Sequence, residues 1–297
     1  MAVLIDPPLW PAHGTMFSHL VSDTSLDELH ELVGRTPISP KAFDEDHYDV
    51  PRHLIDDAVA AGATRVTAHE LTRRLAASGL RIPAKERPAK IRPRLLRSWK
   101  ATVPGAPETG QELLDRWDSP GREYHTSVHL AEVLDNIHRL GSASSEDSDS
   151  WLVLRLAAWY HDAVYRGRPE EDERDSADLV TADLTGVVDP GALDRVRGLI
   201  LGTIDHTAAG RDPLWPIFHD ADLGILAASP GRYGRYASAV RREYSHVPEE
   251  VFRRTRAEIL EGFLNQDRIY LTDVASAQWE GVARNNLRSE IASLRHG

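Results

Sequence analysis

Histidine and aspartate side chains recur in apolar parts of the C-terminal sequence, where a charged group needs a partner. His125 and His129 are four residues apart, a spacing that places two side chains on one helical face about one turn from each other. His161-Asp162 ends the apolar run that begins at Trp151. Burying such a pair is unfavourable unless its charge is compensated, and a divalent cation provides that compensation.

A second acidic pair, Asp220 and Asp222, lies between apolar segments at 216–218 and 223–228. Imidazole and carboxylate groups together suit Mn, Fe, Zn or Mg, and the nitrogen ligands favour the transition metals. The sequence therefore predicts a metal site whose ligands come from three separate helices.

The order His129, His161-Asp162, Asp222 resembles the H…HD…D signature of HD-domain phosphohydrolases, an all-helical fold built around one or two divalent cations. Residues 109–297 are most similar to a branch of predicted metal-dependent HD phosphohydrolases. The similarity rests on eight segments: Arg122–His129, Trp159–Tyr165, Glu173–Ala177, Asp220–Leu226, Tyr233–Tyr236, Arg242–Tyr244, Glu258–Leu264 and Ala283–Leu287. It implies that the four signature residues bind one or two divalent metal ions (Mn, Mg, Zn, Fe or Co), with Asp162 as the bridge if there are two.

The segment Tyr124–Val133 is also similar to the Tyr-His-Asn-x-x-His-Ala-x-x-Val motif of cyclic-nucleotide phosphodiesterases. In that family the second histidine binds metal and the first protonates the leaving oxygen, so the resemblance implies that His125 is a general acid. Ala221-Asp222-Leu223 resembles their distal Ala-Asp-Leu, which favours Asp222 over Asp220 as the ligand. The sequence departs from those enzymes at two positions, Thr126 in place of the asparagine and Tyr165 in place of a histidine.

Other residues are predicted to assist the metal. Glu173 fits the branch's Asn-Glu-x-x-Ser-Ala pattern, with Asp172 in place of the asparagine. It is expected to orient the attacking water, unless it belongs to a solvated acidic face at 170–173. His206 is expected to ligate a second metal or to contact phosphate, unless it only interacts with a helix dipole. A guanidinium matches a phosphate group bidentately, so Arg122 or Arg166 is expected to neutralise the charge of the substrate.

These residues predict an enzyme that hydrolyses a phosphate ester with a metal-activated water. The expected substrate is a small molecule, a nucleotide or a related compound. Two alternatives stay open. Some HD folds hold two irons and oxidise small alcohols with O₂, but they need additional histidines, and only His206 and His219 are available between His161-Asp162 and Asp222. The other alternative is a non-catalytic module that senses a nucleotide.

Residues 1–80 read as a small α/β domain. The sequence predicts strands at 3–5 and 64–67 and helices at 26–34, 51–61 and 68–78, the first of them begun by a capping box at 25–28. The unit resembles a small bacterial domain of unknown function (DUF4031). The residues that carry this resemblance are Asp6, Trp10, Ser18–Asp23 and His47–Asp49. They either bind a cation or phosphate or are structural.

The segment 81–107 contains five prolines, and its first part is strongly basic. It is expected to be a solvated linker, with a phosphate- or nucleic-acid-binding arm as the alternative. From residue 108 to 297 the periodicity predicts an all-α domain. Its helices are expected at about 109–117, 124–140, 151–165, 170–184, 190–204, 214–228, 231–245, 248–264 and 275–295. The fold class predicted for the chain is therefore α+β.

The composition narrows the possible partners. With a net charge of −11, the chain as a whole repels a polyanion, which makes a nucleic-acid partner unlikely. The absence of cysteine excludes disulfides and thiolate metal sites. No apolar run approaches ~18 residues, so no membrane span is expected. We expect a cytoplasmic protein, and the sequence leaves its oligomeric state open.

Overall fold

The computed structural model describes residues 2–82, 87–142, 147–206 and 212–296. The chain divides into two compact units, the first comprising Met1–Arg87 with Ser229–Arg235 and the second Pro88–Ala228 with Tyr236–Gly297. The first unit contains a small sheet, and the second is helical. The predicted α+β class is therefore confirmed, with 63% of residues in helices and 9% in strands.

The sheet of the first unit has six strands among the described residues, namely β1 (Val3–Ile5), β2 (Trp10–Ala12), β3 (Thr15–Ser22), β4 (Phe43–Asp44), β5 (His47–Pro51) and β6 (Thr64–Arg65). The strand order is β4-β5-β3-β1-β6, with β2 paired to β3. The β1–β6 pair is parallel and the others are antiparallel. The sequence predicted β1 and, with a longer range, β6, but it missed the central strands β3 and β5.

Three helices cover this sheet: α1 (Leu26–Gly34), α2 (Ile55–Ala60) and α3 (Ala68–Ser78). One core contains Ile5 and Leu20 of the sheet with residues of α1 and α2, and a second contains Leu4 and Val21 with residues of α3. Successive strand residues point to opposite faces, so β1 and β3 contribute to both cores. Ser25 caps α1, since it accepts a hydrogen bond from the backbone N–H of Glu28. The reciprocal bond of the predicted capping box is replaced, because the backbone N–H of Ser25 donates to the Ser22 hydroxyl, which in turn donates to the Glu28 carboxylate.

Ten α-helices follow in the parts of the chain that the structure describes: α4 (Pro88–Thr102), α5 (Pro107–Trp117), α6 (Ser127–Gly141), α7 (Ser148–Tyr160), α8 (Glu171–Leu184), α9 (Pro190–Gly202), α10 (Trp215–Asp222), α11 (Pro230–Glu243), α12 (Glu249–Leu264) and α13 (Asp273–His296). The nine predicted helices of this region correspond to α5–α13, with shifted ends. None of the helices in the described parts of the chain is long and apolar enough to span a membrane.

Helix α4 overturns the expectation of a linker. Most of the segment 81–107 was expected to be extended and solvated, yet α4 buries Ile91, Leu95 and Trp99 and packs against α5 and α6. The Nε1 of Trp99 donates a hydrogen bond to the carbonyl oxygen of Ala106 (2.7 Å). The prediction of a linker rested on the prolines, but Pro88 begins the helix, and a helix tolerates proline in its first turn. Pro93 lies inside the helix, where proline is normally disfavoured.

Candidate metal centre

Three helices bring the predicted ligands together. His129 lies in the first turn of α6, and His161-Asp162 directly follows the last residue of α7. Asp222 is the last residue of α10. Because α6 packs against both α7 and α10, the start of one helix and the ends of two others meet at one place.

The ligand atoms of these side chains lie at distances that one cation can bridge. His129 Nε2 is 3.2 Å from Asp222 Oδ1 and 3.3 Å from His161 Nε2, and His161 Nε2 is 3.4 Å from Asp222 Oδ1. Asp162 Oδ2 is 3.3 Å from His161 Nε2. Atoms that each lie ~2.0–2.2 Å from a common ion are roughly 3 Å apart, so the residues present fit a divalent cation.

The surrounding protein fixes the orientation of His161. Its Nδ1 donates a hydrogen bond to the carbonyl oxygen of Ala158 (2.9 Å), so the lone pair of the neutral ring is on Nε2, which faces the other ligand atoms. Such a hydrogen bond from the second ring nitrogen is the usual support of a metal-binding histidine. Both imidazoles are buried, with His129 3% and His161 1% exposed.

The electrostatics of the cluster also suit a cation. Burial by itself would lower the pKa of His161, but the carboxylates of Asp162 and Asp222 raise it to about 9. Burial would raise the pKa of Asp222, but His161 and His129 hold it well below its usual value. The cluster therefore favours a positive charge among its carboxylates, which a proton or a metal ion supplies.

His125 is placed differently from the expectation. Helix α6 begins at Ser127 with Thr126 as its N-cap, so His125 lies in the turn before the helix and not on the face that carries His129. The two imidazole centroids are nevertheless 5.7 Å apart, and both rings line the same cavity. Thr126, which replaces the expected asparagine, accepts a hydrogen bond from the backbone N–H of Val128.

Glu243, the last residue of α11, holds His125 in place. Its Oε2 accepts a hydrogen bond from His125 Nδ1 (2.7 Å), and its Oε1 accepts from the backbone N–H groups of Glu123, Tyr124 and His125 (2.8–3.0 Å). Burial would raise the pKa of this carboxyl, but its bonds to His125 lower it to about 2. The sequence alone did not predict this role. The only available signal was the position of Glu243 within Arg242–Tyr244, one of the segments similar to the HD branch.

Tyr165 completes this group. Its ring stacks on that of His125 with centroids 4.3 Å apart, and its hydroxyl donates to Glu243 Oε2 (3.0 Å). The tyrosine that departs from the phosphodiesterase pattern thus supports the candidate general acid from the position where those enzymes carry a histidine.

Glu173 and His206 also line the cavity. Glu173 is in the first turn of α8; its Oε2 is buried without a hydrogen-bond partner among the described residues, and burial raises its pKa. His206 adopts a left-handed backbone conformation (φ 51°), and burial lowers its pKa to about 4. His206 does not belong to the close group of His129, His161 and Asp222 found among the described residues.

The two arginines are engaged elsewhere. Arg122 donates hydrogen bonds to the carbonyl oxygens of His125 (3.0 Å), Asp162 (2.7 Å) and Ala163 (3.2 Å), and its guanidinium is not part of the cavity lining. It ties the turn before α6 to the residues after α7, so its predicted phosphate contact is replaced by a positioning role. Arg166 forms ion pairs with Asp172 and Asp175.

Asp220 has a structural role. Its two oxygens accept hydrogen bonds from the backbone N–H groups of Leu271 (2.8 Å) and Thr272 (2.7 Å) and from the Thr272 hydroxyl (2.6 Å), just before α13 begins. It also accepts from His219 Nδ1 (2.9 Å). Asp220 therefore anchors the start of α13, while Asp222 faces the histidines.

The ligand cluster opens into a cavity of about 810 Å³. Beyond the metal ligands its wall is largely apolar and aromatic, with side chains such as Ile225, Tyr236, Val240, Phe252 and Phe263. Among the described residues that line the cavity, the one arginine or lysine is Arg256, which is ion-paired with Glu290 (2.9 Å) and hydrogen-bonded to the Tyr236 hydroxyl (3.0 Å).

Comparison with known proteins identifies the N-terminal unit. Residues 3–78 match the family described as a protein of unknown function (DUF4031). This confirms the resemblance expected for the first unit, and the family description assigns no activity. No curated protein and no solved structure matches the chain. The similarity of the helical region to HD phosphohydrolases stays a prediction.

Proposed function

We propose that the helical region is a metal-dependent phosphohydrolase that cleaves a small-molecule phosphate ester. The observation that carries this proposal is the convergence of His129, His161, Asp162 and Asp222 from three helices at the floor of one cavity. Their order in the chain is that of the H…HD…D signature. A cluster built only for stability would not need to open into a cavity of this size.

The ligand residues bind and orient the cofactor. His129 and His161 supply Nε2 atoms, Asp222 supplies Oδ1, and Asp162, on the rim of the group, has a second oxygen for another ion. A divalent cation held there supplies Lewis acidity, which lowers the pKa of water and polarises a phosphoryl oxygen. Glu173 also lines the cavity, and its buried Oε2, which has no hydrogen-bond partner among the described residues, is suited to accept a hydrogen bond from water there.

His125 supplies the proton. Glu243 accepts the hydrogen bond from Nδ1, so Nε2 is the ring nitrogen that would carry the proton to be transferred. That Nε2 proton is available to the departing alkoxide oxygen of a substrate in the cavity, which is the role of a general acid. Stacking on Tyr165 fixes the plane of the ring.

The cavity wall indicates the substrate class. A nucleoside polyphosphate carries three or four negative charges, and proteins bind such groups with several free cationic side chains. Here Arg256 is already paired with Glu290, whereas aromatic and aliphatic side chains supply most of the wall. The site is therefore suited to a monophosphate ester or a cyclic phosphodiester with an apolar or aromatic body, such as a nucleoside monophosphate.

The test is hydrolysis of phosphate esters by the full-length protein after metal depletion, with Mn²⁺, Mg²⁺, Co²⁺ or Zn²⁺ restored singly and the products identified by chromatography. The substrates are nucleoside monophosphates, cyclic nucleotides, nucleoside triphosphates and nitrophenyl phosphates. We expect metal-dependent turnover of monophosphate or cyclic esters that Asp222→Asn abolishes. Iron-dependent O₂ uptake without hydrolysis would contradict the proposal and favour the oxygenase alternative. Tight nucleotide binding without turnover under any metal would favour the sensing module.

A further inference from the structure

The sheet of the first unit carries a second cluster of histidine and aspartate residues. His19 on β3 pairs directly across the sheet with Asp49 on β5, and His47 is two residues before Asp49 on the same strand. Directly paired residues and residues two apart along a strand point to the same face of a sheet. The strand register therefore brings His19, His47 and Asp49 together, although His19 lies 28 positions before His47 and 30 before Asp49 in the chain.

The three side chains are close enough together to hold one metal ion. One ligand atom from each of the three residues lies within 4.8 Å of the others. His47 Nε2 is 3.6 Å from Asp49 Oδ1, and the two imidazole centroids are 5.1 Å apart. His19 and Asp49 are 38% and 41% exposed, so an ion has access from solvent.

Both histidines are held by a buried carboxylate on their other nitrogen. His19 Nδ1 donates to Asp6 Oδ2 (3.0 Å), and His47 Nδ1 donates to Asp46 Oδ1 (2.6 Å). The remaining carboxylate oxygens are also bonded, since Asp6 Oδ1 accepts from the backbone N–H of His19 and Asp46 Oδ2 from that of Ile82. This carboxylate–histidine arrangement leaves each Nε2 free and is the usual support of a metal-binding histidine. A purely structural histidine pair would not need two buried carboxylates.

The charges around the cluster are compatible with a bound cation. Arg87 forms ion pairs with Asp44 and, at 3.7 Å, with Asp46, so it compensates that side of the cluster. No ion pair with arginine or lysine is seen for Asp6 or Asp49 in the described part of the chain. Asp23 is also among the residues that carry the resemblance to DUF4031, but it does not belong to this cluster and is ion-paired with Arg74.

We propose that His19, His47 and Asp49 form a second metal site, which binds a divalent transition-metal cation through two imidazole nitrogens and one carboxylate. Two histidines and one carboxylate suit Zn²⁺, Mn²⁺, Co²⁺ or Fe²⁺. Three protein ligands leave coordination positions open, which is the arrangement of a site that binds or transforms a ligand and not of a closed structural site. Asp6 and Asp46 are positioning residues for the two imidazoles. This site is independent of the function proposed for the helical region.

The test is Co²⁺ binding by the full-length protein after chelator treatment, measured as metal content after equilibrium dialysis and as visible d–d absorption. His19→Gln and Asp49→Asn are each expected to lose one equivalent of Co²⁺ per chain. The matched control is His53→Gln, at an exposed histidine of the same unit, which should keep the wild-type stoichiometry. His129→Ala should keep the equivalent that His19→Gln removes.

Positioning is tested separately with Asp6→Asn, which should weaken Co²⁺ binding at this site ~10–100-fold without removing a ligand. Circular dichroism shows whether each variant is folded, and His19 and Asp49 are exposed enough to be replaced without disrupting the core. Unchanged stoichiometry and spectrum in folded His19→Gln and Asp49→Asn would overturn the proposal. Loss of Co²⁺ from this site together with normal phosphatase activity would separate it from the centre in the helical region.

Discussion

At the scale of single residues, hydrogen bonding at one ring nitrogen decides what a histidine can do at the other. At the two candidate sites, Nδ1 is hydrogen-bonded to a carboxylate or carbonyl oxygen in His19, His47, His125 and His161. A carboxylate or carbonyl oxygen only accepts, so Nδ1 carries the hydrogen and Nε2 is left to bind metal or to transfer a proton. Histidines at the candidate site of the helical region and at that of the sheet are therefore oriented in the same way, by a hydrogen bond at Nδ1.

His125 and His129 can be distinguished by mutation. His125→Ala should leave the metal content nearly unchanged and lower turnover by ~10²–10⁴-fold, because a general acid is lost while the ligands stay. The loss should shrink for nitrophenyl esters, whose leaving group needs little protonation. His129→Ala should lose metal and activity together. Metal analysis with paired kinetics on alkyl and nitrophenyl esters measures this, and loss of metal in His125→Ala would contradict the assignment.

Glu243 makes a pH-dependent contribution to stability. Its pKa is lowered from 4.5 to about 2 in the folded protein, so its bonds stabilise the fold above pH 4.5 and this contribution disappears as the pH falls toward 2. Glu243→Gln should reduce the free energy of unfolding at neutral pH by up to about 3 kcal/mol. Urea unfolding of both proteins at pH 3 to 7 measures the difference. A difference that is the same at both ends of that range would show that the carboxylate charge is not responsible.

At the scale of elements, helices α4 and α5 approach each other closely at one point. Gly110 faces the indole of Trp99, and a Cβ on Gly110 would lie 2.3 Å from Trp99 Cδ1, a distance that real Cβ atoms do not show. Trp99 is fully buried, so it has little room to move aside. The absence of a side chain at Gly110 therefore permits the two helices to approach this closely.

Gly110→Ala should consequently destabilise the protein, by roughly 1–3 kcal/mol as overpacking usually does. The matched control is Gly198→Ala in α9, where an added Cβ meets nothing within 4 Å. That change should stabilise the protein by up to about 1 kcal/mol, because alanine favours a helix more than glycine does. Thermal unfolding of the two variants gives the comparison. A stabilised Gly110→Ala would mean that α4 is not packed against α5 as described.

At the scale of the whole molecule, metal binding should raise stability. The ligands of the candidate centre come from α6, α7 and α10, so an ion held between them binds the folded chain and not the unfolded one. At a concentration 100 times the dissociation constant this adds about 2.7 kcal/mol to the free energy of unfolding.

We therefore expect the melting temperature of the metal-depleted protein to rise when Mn²⁺ or Zn²⁺ is added, and the rise to be smaller in His129→Ala. Differential scanning fluorimetry over a metal titration measures both effects. Combining His129→Ala with His19→Gln should remove the shift that each centre contributes. A full shift in the double variant would place the stabilising ion elsewhere.

The amino-acid sequence alone was enough to predict that the C-terminal region is helical and in what order its candidate ligands occur. Both are encoded locally, the first in apolar periodicity and the second in His-Asp motifs such as His161-Asp162 at the end of an apolar run. The helix N-cap at Ser25 and the helix after Thr67 were predictable for the same reason, because each depends on residues within a few positions.

The tertiary structure decided what depends on distant residues. Glu243 reaches His125 from 118 positions away, and His19 meets Asp49 only through the pairing of β3 with β5. The sequence predicted neither strand, because a residue's neighbours across a sheet are set by register and not by its own segment. The region of α4 was likewise predicted to be a linker, because its composition is rich in proline. In the structure, tertiary packing around Trp99 outweighs that composition and stabilises a helix.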